Sequence, residues 1–118
     1  MQYLIMLMGD GEMPPWEEMS EQERAEVMRR FEAFAEACAA RDGVEVLAEA
    51  ELAGPEQARS LRVRDGELLV TEGPYAEGVE GLGGLSLIEA PDFETLLELV
   101  RLMPPYDMQI QPVLEREA

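Results

Sequence analysis

From Gln2 to Met8 the chain reads QYLIMLM, apolar at every position after the first, and it stops at Gly9-Asp10-Gly11. A half-buried strand alternates apolar and polar residues. This one does not, so both of its faces call for cover. That demand constrains the rest of the fold, because each later element either supplies cover for this strand or competes for it.

Cover for one face is evident. Gly9–Glu18 holds two glycines, Pro14-Pro15 and Trp16, and reads as a loop. Ser20-Glu21-Gln22-Glu23 then forms a capping box, in which the serine hydroxyl accepts from the amide three residues on and Glu23 reaches back. Val27, Met28, Phe31, Phe34, Ala35 and Cys38 recur at spacings of three and four, giving one apolar stripe, while Glu26 faces Arg29 and Arg30 on the wet side. Arg41-Asp42-Gly43 supplies the stop. A second helix starts at Pro91-Asp92, with Asp92 as N-cap and Phe93, Leu96, Leu97, Val100 and Leu102/Met103 as its apolar side; Pro104-Pro105 ends it.

Strands fill the remainder. Val44–Leu52 is a weaker candidate, interrupted by Glu45, Glu49 and Glu51, and Ala53-Gly54-Pro55 breaks the chain after it. Leu61–Arg64 and Glu67–Thr71 flank Asp65-Gly66, a pair suited to a two-residue turn in which both positions take positive φ. That turn pairs Arg64 with Glu67, Val63 with Leu68, Arg62 with Leu69 and Leu61 with Val70. Leu61, Val63, Leu68 and Val70 then share a face that must be covered. Gly84–Glu89 and Met108–Leu114 complete the set, Pro112 marking an edge or strand end.

The order β-α-β-β-β-β-α-β has the outer frame of a ferredoxin-like split βαβ plan, an α+β fold in one domain spanning 1–118. Two helices cover one face of such a sheet. The expectation is therefore a homodimer, sheet against sheet, with a partly barrel-like shared interior and an interface above ~1,000 Å². Exchange of segments through the proline-rich stretches is a lesser alternative.

Charge and composition remove several functions. Nine arginines stand against 26 carboxylates for a formal charge of −17, and the chain has neither lysine nor histidine. Phosphate backbones are repelled, which argues against nucleic-acid binding. The usual general base, imidazole ligand and Schiff-base amine are missing. MQYLIMLMGD reads as a strand and not a signal peptide, and no apolar run reaches the ~20 residues of a membrane span. Cys38 has no intramolecular partner and reads as a small buried hydrophobe, fitting a reducing cytoplasm.

Thr71–Gly84, TEGPYAEGVEGLGG, resembles the signature of the YCII-related, DGPF-domain family: an Asp-Gly-Pro-Phe-type run, an acidic residue, then Leu-Gly-Gly. MQYLIMLMGD resembles that family's opening strand, SEQERAEVMRRFEAFAEA its first helix, LRVRDGELLVTEGP its hairpin and MQIQPVLE its closing strand. The resemblance implies a dimeric α+β barrel of ferredoxin-like protomers. Glu72 stands where the family has Asp and Tyr75 where it has Phe. The His–Asp pair proposed for some relatives has no counterpart here, since this chain lacks histidine.

The candidate catalytic groups are Glu72, Tyr75 and Glu77, two carboxylates and a phenol in one glycine-rich loop. Carboxylates share acid–base work when burial moves one of them. They are equally well two solvated surface groups. The ligand-binding candidates are Asp10, Arg62, Arg64, Gly73, Pro74, Gly83 and Gly84, the glycines offering backbone amides and the arginines a site for a small anion. Against that, the arginines pair with Glu67 and other acids across the sheet, and the loop is an ordered crossing. Asp10-x-Glu12 offers oxygens, but the rest of a calcium loop is missing, so no metal and no cofactor is expected. Trp16 and Tyr106 read as packing lids. The favoured function is a small-ligand-binding or accessory dimeric module. The alternatives are a small enzyme (an isomerase, lyase or cofactor-free oxygenase) with a carboxylate/Tyr site in the barrel interior, and a purely structural protein.

Overall fold

The structure, a computed structural model, describes residues 1–75 and 82–116. Its elements follow the expected order: β1 (Gln2–Gly9), α1 (Glu21–Ala40), β2 (Glu45–Glu51), β3 (Arg59–Arg64), β4 (Glu67–Glu72), β5 (Gly84–Glu89), α2 (Phe93–Val100) and β6 (Asp107–Pro112). Single 3-10 turns at Trp16–Glu18 and Pro55–Gln57 punctuate the loops.

Four strands form one sheet in the order β2-β5-β1-β6, antiparallel at every junction. β1 and β2 thus run parallel with β5 between them, as do β5 and β6 with β1 between them. Each pair is joined by a helical crossover, and crossovers of one hand put both helices on the same side. This is the α+β, ferredoxin-like arrangement. The core lies under those helices: Tyr3, Ile5 and Ile88 from the sheet meet Phe34 and Cys38 from α1, and Leu96, Leu99 and Val100 from α2.

Local signals explain the helix boundaries. Ser20 Oγ accepts from the Glu23 amide at 3.1 Å, and the Ser20 amide donates to Glu23 Oε1 at 2.9 Å, closing the capping box. Gly43 takes φ +80° just past the helix end. Asp92 caps α2, its Oδ1 accepting from the Thr95 amide at 2.8 Å. Glu26 bonds Arg29 at 2.7 Å and lies 3.6 Å from Arg30 on the wet face.

Several expectations need correction. α2 stops at Val100, short of Leu102 and Met103, whose amides donate three residues back to Leu99 O and Val100 O in a tighter turn ahead of Pro104; Met103 is nonetheless buried from that turn. Met28, Ala35 and Phe93 are exposed, leaving narrower stripes than the spacing suggested. β6 ends at Pro112, and Leu114 is exposed. β1 is not buried on both faces within one chain: Tyr3 and Ile5 are buried, whereas Gln2, Leu4, Met6 and Met8 are half-buried.

The hairpin departs most. β3 and β4 pair in the anticipated register around Asp65 (φ +53°) and Gly66 (φ +79°), yet they form their own two-stranded sheet. Leu61, Val63, Leu68 and Val70 remain 56–61% exposed. The face that must be covered is uncovered in the single chain. With this arm the radius of gyration is 16.7 Å, against about 13.5 Å for a compact chain of this length.

Candidate functional site

Register decides which residues share the side of the sheet away from the helices. Leu4 lies opposite Leu87, and Met6 opposite Leu85. On the other flank Leu4 meets Gln111 and Met6 meets Gln109. In β2 the register shifts between Val46 and Ala48, the extra residue being Leu47. A bulge inverts the parity of everything beyond it. Val46 therefore faces the helices with Ile88, while Ala48 and Ala50 join Leu87 and Leu85 on the uncovered side. The result is a surface of leucine, methionine and alanine. Gln109 and Gln111 edge it, bonded to each other at 3.2 Å. Glu45 and Glu89 pair at one end, with Gln2 opposite Glu89 on the neighbouring strand.

A second group gathers at the base of the hairpin. Gly73 takes φ +96°, a backbone that side chains disfavour. Its amide donates to Ala58 O at 2.9 Å, and its carbonyl accepts from the buried Ser60 hydroxyl at 2.8 Å. The chain is thereby turned so that Tyr75 returns over β3. The Arg62 guanidinium carbon sits 4.2 Å from the Tyr75 ring centroid, and its Nη2 donates to Tyr75 O at 2.8 Å. This stacked cation–aromatic pair is exposed on the Tyr75 side. Glu72 and Pro74 beside it are exposed as well.

The arginines do not behave as a cross-strand ion-pair ladder. Arg64 stands opposite Glu67 but donates to its neighbour's carbonyl, Val63 O, at 2.9 Å. Arg59 stands opposite Glu72 and donates to Gln57 O and Ala58 O. Among the described residues no carboxylate lies within ion-pair distance of Arg59, Arg62 or Arg64. The expected pairing with Glu67 is replaced by main-chain contacts, Arg64 with Val63 O and Arg59 with Gln57 O and Ala58 O. Glu77 lies outside the described residues.

The remaining candidates fall at one end of the four-stranded sheet. The Gly83 amide donates to Leu7 O at 2.8 Å and its carbonyl accepts from the Leu52 amide at 2.9 Å. Gly84 is buried, and a Cβ there would stand 3.2 Å from Ala50 O and 3.4 Å from Leu7 Cδ1. Both glycines thus tie β5 between β1 and β2. Asp10 follows β1, close to Tyr106, a residue that sequence reading treated as packing alone. Tyr106 is half-buried with its ring 6.0 Å from Phe31. Burial pushes its phenol up, and the Asp10 and Glu51 carboxylates push it further. It stays a neutral donor at ordinary pH. The sequence signal for that role was faint: an aromatic after Pro104-Pro105.

Two open hollows on the helical side, one along Glu94, Leu97, Glu98 and Arg101 and one between α1 and α2 at Ala37 and Leu102, include none of the candidate residues. Among the described residues no group of three or more metal-ligating side chains converges. No helix among them is long and apolar enough to cross a membrane.

Set against known protein families, residues 1–114 match the YCII-related domain. None of the curated proteins compared with the chain matches it.

Proposed function

The chain belongs to the YCII-related family, and from that premise we propose that it is a homodimeric small-ligand-binding or accessory module whose two sheets meet across their uncovered faces. One observation carries this reading: Leu4, Met6, Leu85 and Leu87 lie together on the side of the sheet away from α1 and α2. Apolar surface left in water costs about 25 cal/mol per Å². A twin sheet removes that cost on both copies at once.

Charge favours the same face. In a chain of formal charge −17, two copies approach most easily through surfaces free of carboxylates. This face is apolar at its centre, has amides along one flank, and keeps Glu45 and Glu89 to one end. An interior so lined suits a small apolar or aromatic molecule, with Gln109 and Gln111 available to orient one polar group on it. A reducing compartment such as the cytoplasm fits the buried lone thiol of Cys38.

The enzymatic alternative has weaker support. Acid–base work by a carboxylate draws on burial, and Glu72 is exposed, as is Tyr75.

Sedimentation equilibrium combined with titration of a neutral apolar fluorophore, N-phenyl-1-naphthylamine, tests the proposal. The expected result is a species of twice 13.2 kDa that binds the dye saturably, with Met6→Trp filling the interior and lowering dye binding while the dimer persists. A monomer at tens of micromolar would overturn the reading. A dimer that takes up no dye would favour the structural alternative.

A further inference from the structure

We propose that the β3–β4 hairpin is an exchanged arm: each protomer seats the Leu61/Val63/Leu68/Val70 face on a second copy of the chain and receives the partner's arm in return. The inference rests on the dimer reading only in taking a second copy as the occupant. The surface it donates, the arm, is separate from that sheet face.

The first argument is the arm's isolation. Its strands pair with each other and belong to neither flank of the larger sheet. All four side chains of one face stay more than half exposed. Together they present roughly 400 Å² of apolar surface, the size of the largest patch on an ordinary soluble chain, which is often a functional one.

The second argument is area. Around a two-fold axis the contact occurs twice, because an isologous pair gives what it receives. Each protomer then contributes its own arm face and an equal receiving surface. The total is roughly 1,600 Å², the standard size of a stable interface. One arm on an unrelated protein would bury half of that.

Charge supplies the third argument. Residues 59–72 hold three arginines and three carboxylates, so the arm is neutral while the rest of the chain carries the full −17. An acidic body repels another acidic body. It does not repel a neutral arm bearing guanidiniums. Among the described residues Arg59 and Arg64 bond only to carbonyls of their own strand or its lead-in, which leaves donors for carboxylates of a partner. A second copy, with 26 acids, supplies those in abundance. On the receiving side, β2 is an edge strand with Leu47 and Leu52 exposed. Past Glu45 at one end, it turns Ala48 and Ala50 toward the uncovered face, where small side chains let another layer approach.

The test compares the parent with Val63→Asp/Leu68→Asp in the arm and Met6→Asp on the sheet, by sedimentation equilibrium from nanomolar to tens of micromolar. The arm variant is expected to raise the dimer dissociation constant at least tenfold, its circular-dichroism melt at the lowest concentration matching the parent protomer. Equal dimerisation of parent and arm variant, with Met6→Asp monomeric, overturns the arm and leaves the sheet-to-sheet reading intact. A weakened arm variant beside an unaffected Met6→Asp upholds the arm and removes that reading. A parent that is monomeric throughout overturns both. Should the double aspartate variant unfold, Val63→Cys in a Cys38→Ala background, carrying benzophenone-maleimide, decides the matter. A cross-linked product of two chains supports exchange, and adducts confined to one chain refute it.

Discussion

The four-stranded sheet and the β3–β4 hairpin are built from similar residues and meet opposite fates. Tyr3, Ile5 and Ile88 are at most 4% exposed, whereas Leu61, Val63, Leu68 and Val70 are 56–61% exposed. Strand pairing does not distinguish them: both carry branched and other large apolar side chains and pair antiparallel. The difference lies in the connections. β1 reaches β2 through α1, and β5 reaches β6 through α2, so each crossover lays an apolar stripe on the same face. The hairpin enters after a single 3-10 turn and leaves into a glycine-rich stretch, and among the described residues neither flank brings a helix. Pairing is therefore a local property of this chain, and coverage is a property of its topology.

The largest expected effect breaks or upholds that contrast directly. Ile5→Ala or Leu96→Ala empties space in a core that the chain closes by itself, and should cost about 3 kcal/mol in chemical denaturation. Leu61→Ala or Val70→Ala, measured on the dilute protomer, should change stability by less than about 0.5 kcal/mol. Comparable losses in both regions would mean that the arm is covered by its own chain after all.

Smaller effects are expected at two glycines, for different reasons. Gly84→Ala places a Cβ 3.2 Å from the Ala50 carbonyl in the packed sheet, and crowding of that kind costs about 1–3 kcal/mol. Gly73→Ala meets nothing within 4 Å but must hold φ +96°, which costs about 1–2 kcal/mol. Asparagine separates the causes. It tolerates positive φ, so Gly73→Asn should recover part of the loss that Gly73→Ala incurs, whereas Gly84→Asn should be worse than Gly84→Ala. Equilibrium unfolding of the four variants checks this.

The same division governs what could be read from residues alone. The capping box at Ser20, the Asp65-Gly66 turn with its four cross-strand pairs, and the bounds of β5 were legible because each is fixed by neighbours in sequence. The early end of α2 and the exposure of Met28 were not, since they depend on which parts of a stripe find a partner. The site was less legible than the fold. Arg62 and Tyr75 are thirteen residues apart, and only the turn at Gly73 stacks them. Pairing of the arginines with Glu67 and other acids follows from register, yet guanidiniums reach past the residues that register sets opposite them. Gly83 and Gly84, taken as amides for a ligand, instead hold three strands together. The apolar demand on both faces of β1 was visible from the first seven residues, and it is the half that a single chain leaves unmet that directs attention to a second copy.

Thiol chemistry gives the finest probe of the contrast, with the least effect on stability. Cys38 is 2% exposed, and burial pushes its thiol up, the Glu49 carboxylate adding to the shift. The thiolate is the reactive form, so Cys38 should label at least a hundredfold more slowly at pH 8 than the same thiol placed by Val63→Cys in a Cys38→Ala background at protomer dilution. The linkage has a definite sign. Below the ordinary thiol pKa of about 8.5 both folded and unfolded chains carry the proton, and the group's contribution is fully present. Above it the unfolded chain loses the proton first, so that contribution falls as pH rises toward the raised folded value. Cys38→Ala should therefore flatten the decline of stability in that alkaline window relative to the parent, while Val63→Cys, exposed on the arm, should restore none of it. An alkaline slope that survives Cys38→Ala unchanged would assign it to other groups, and rapid labelling of Cys38 would show that the helical face is looser than the burial of its cluster implies.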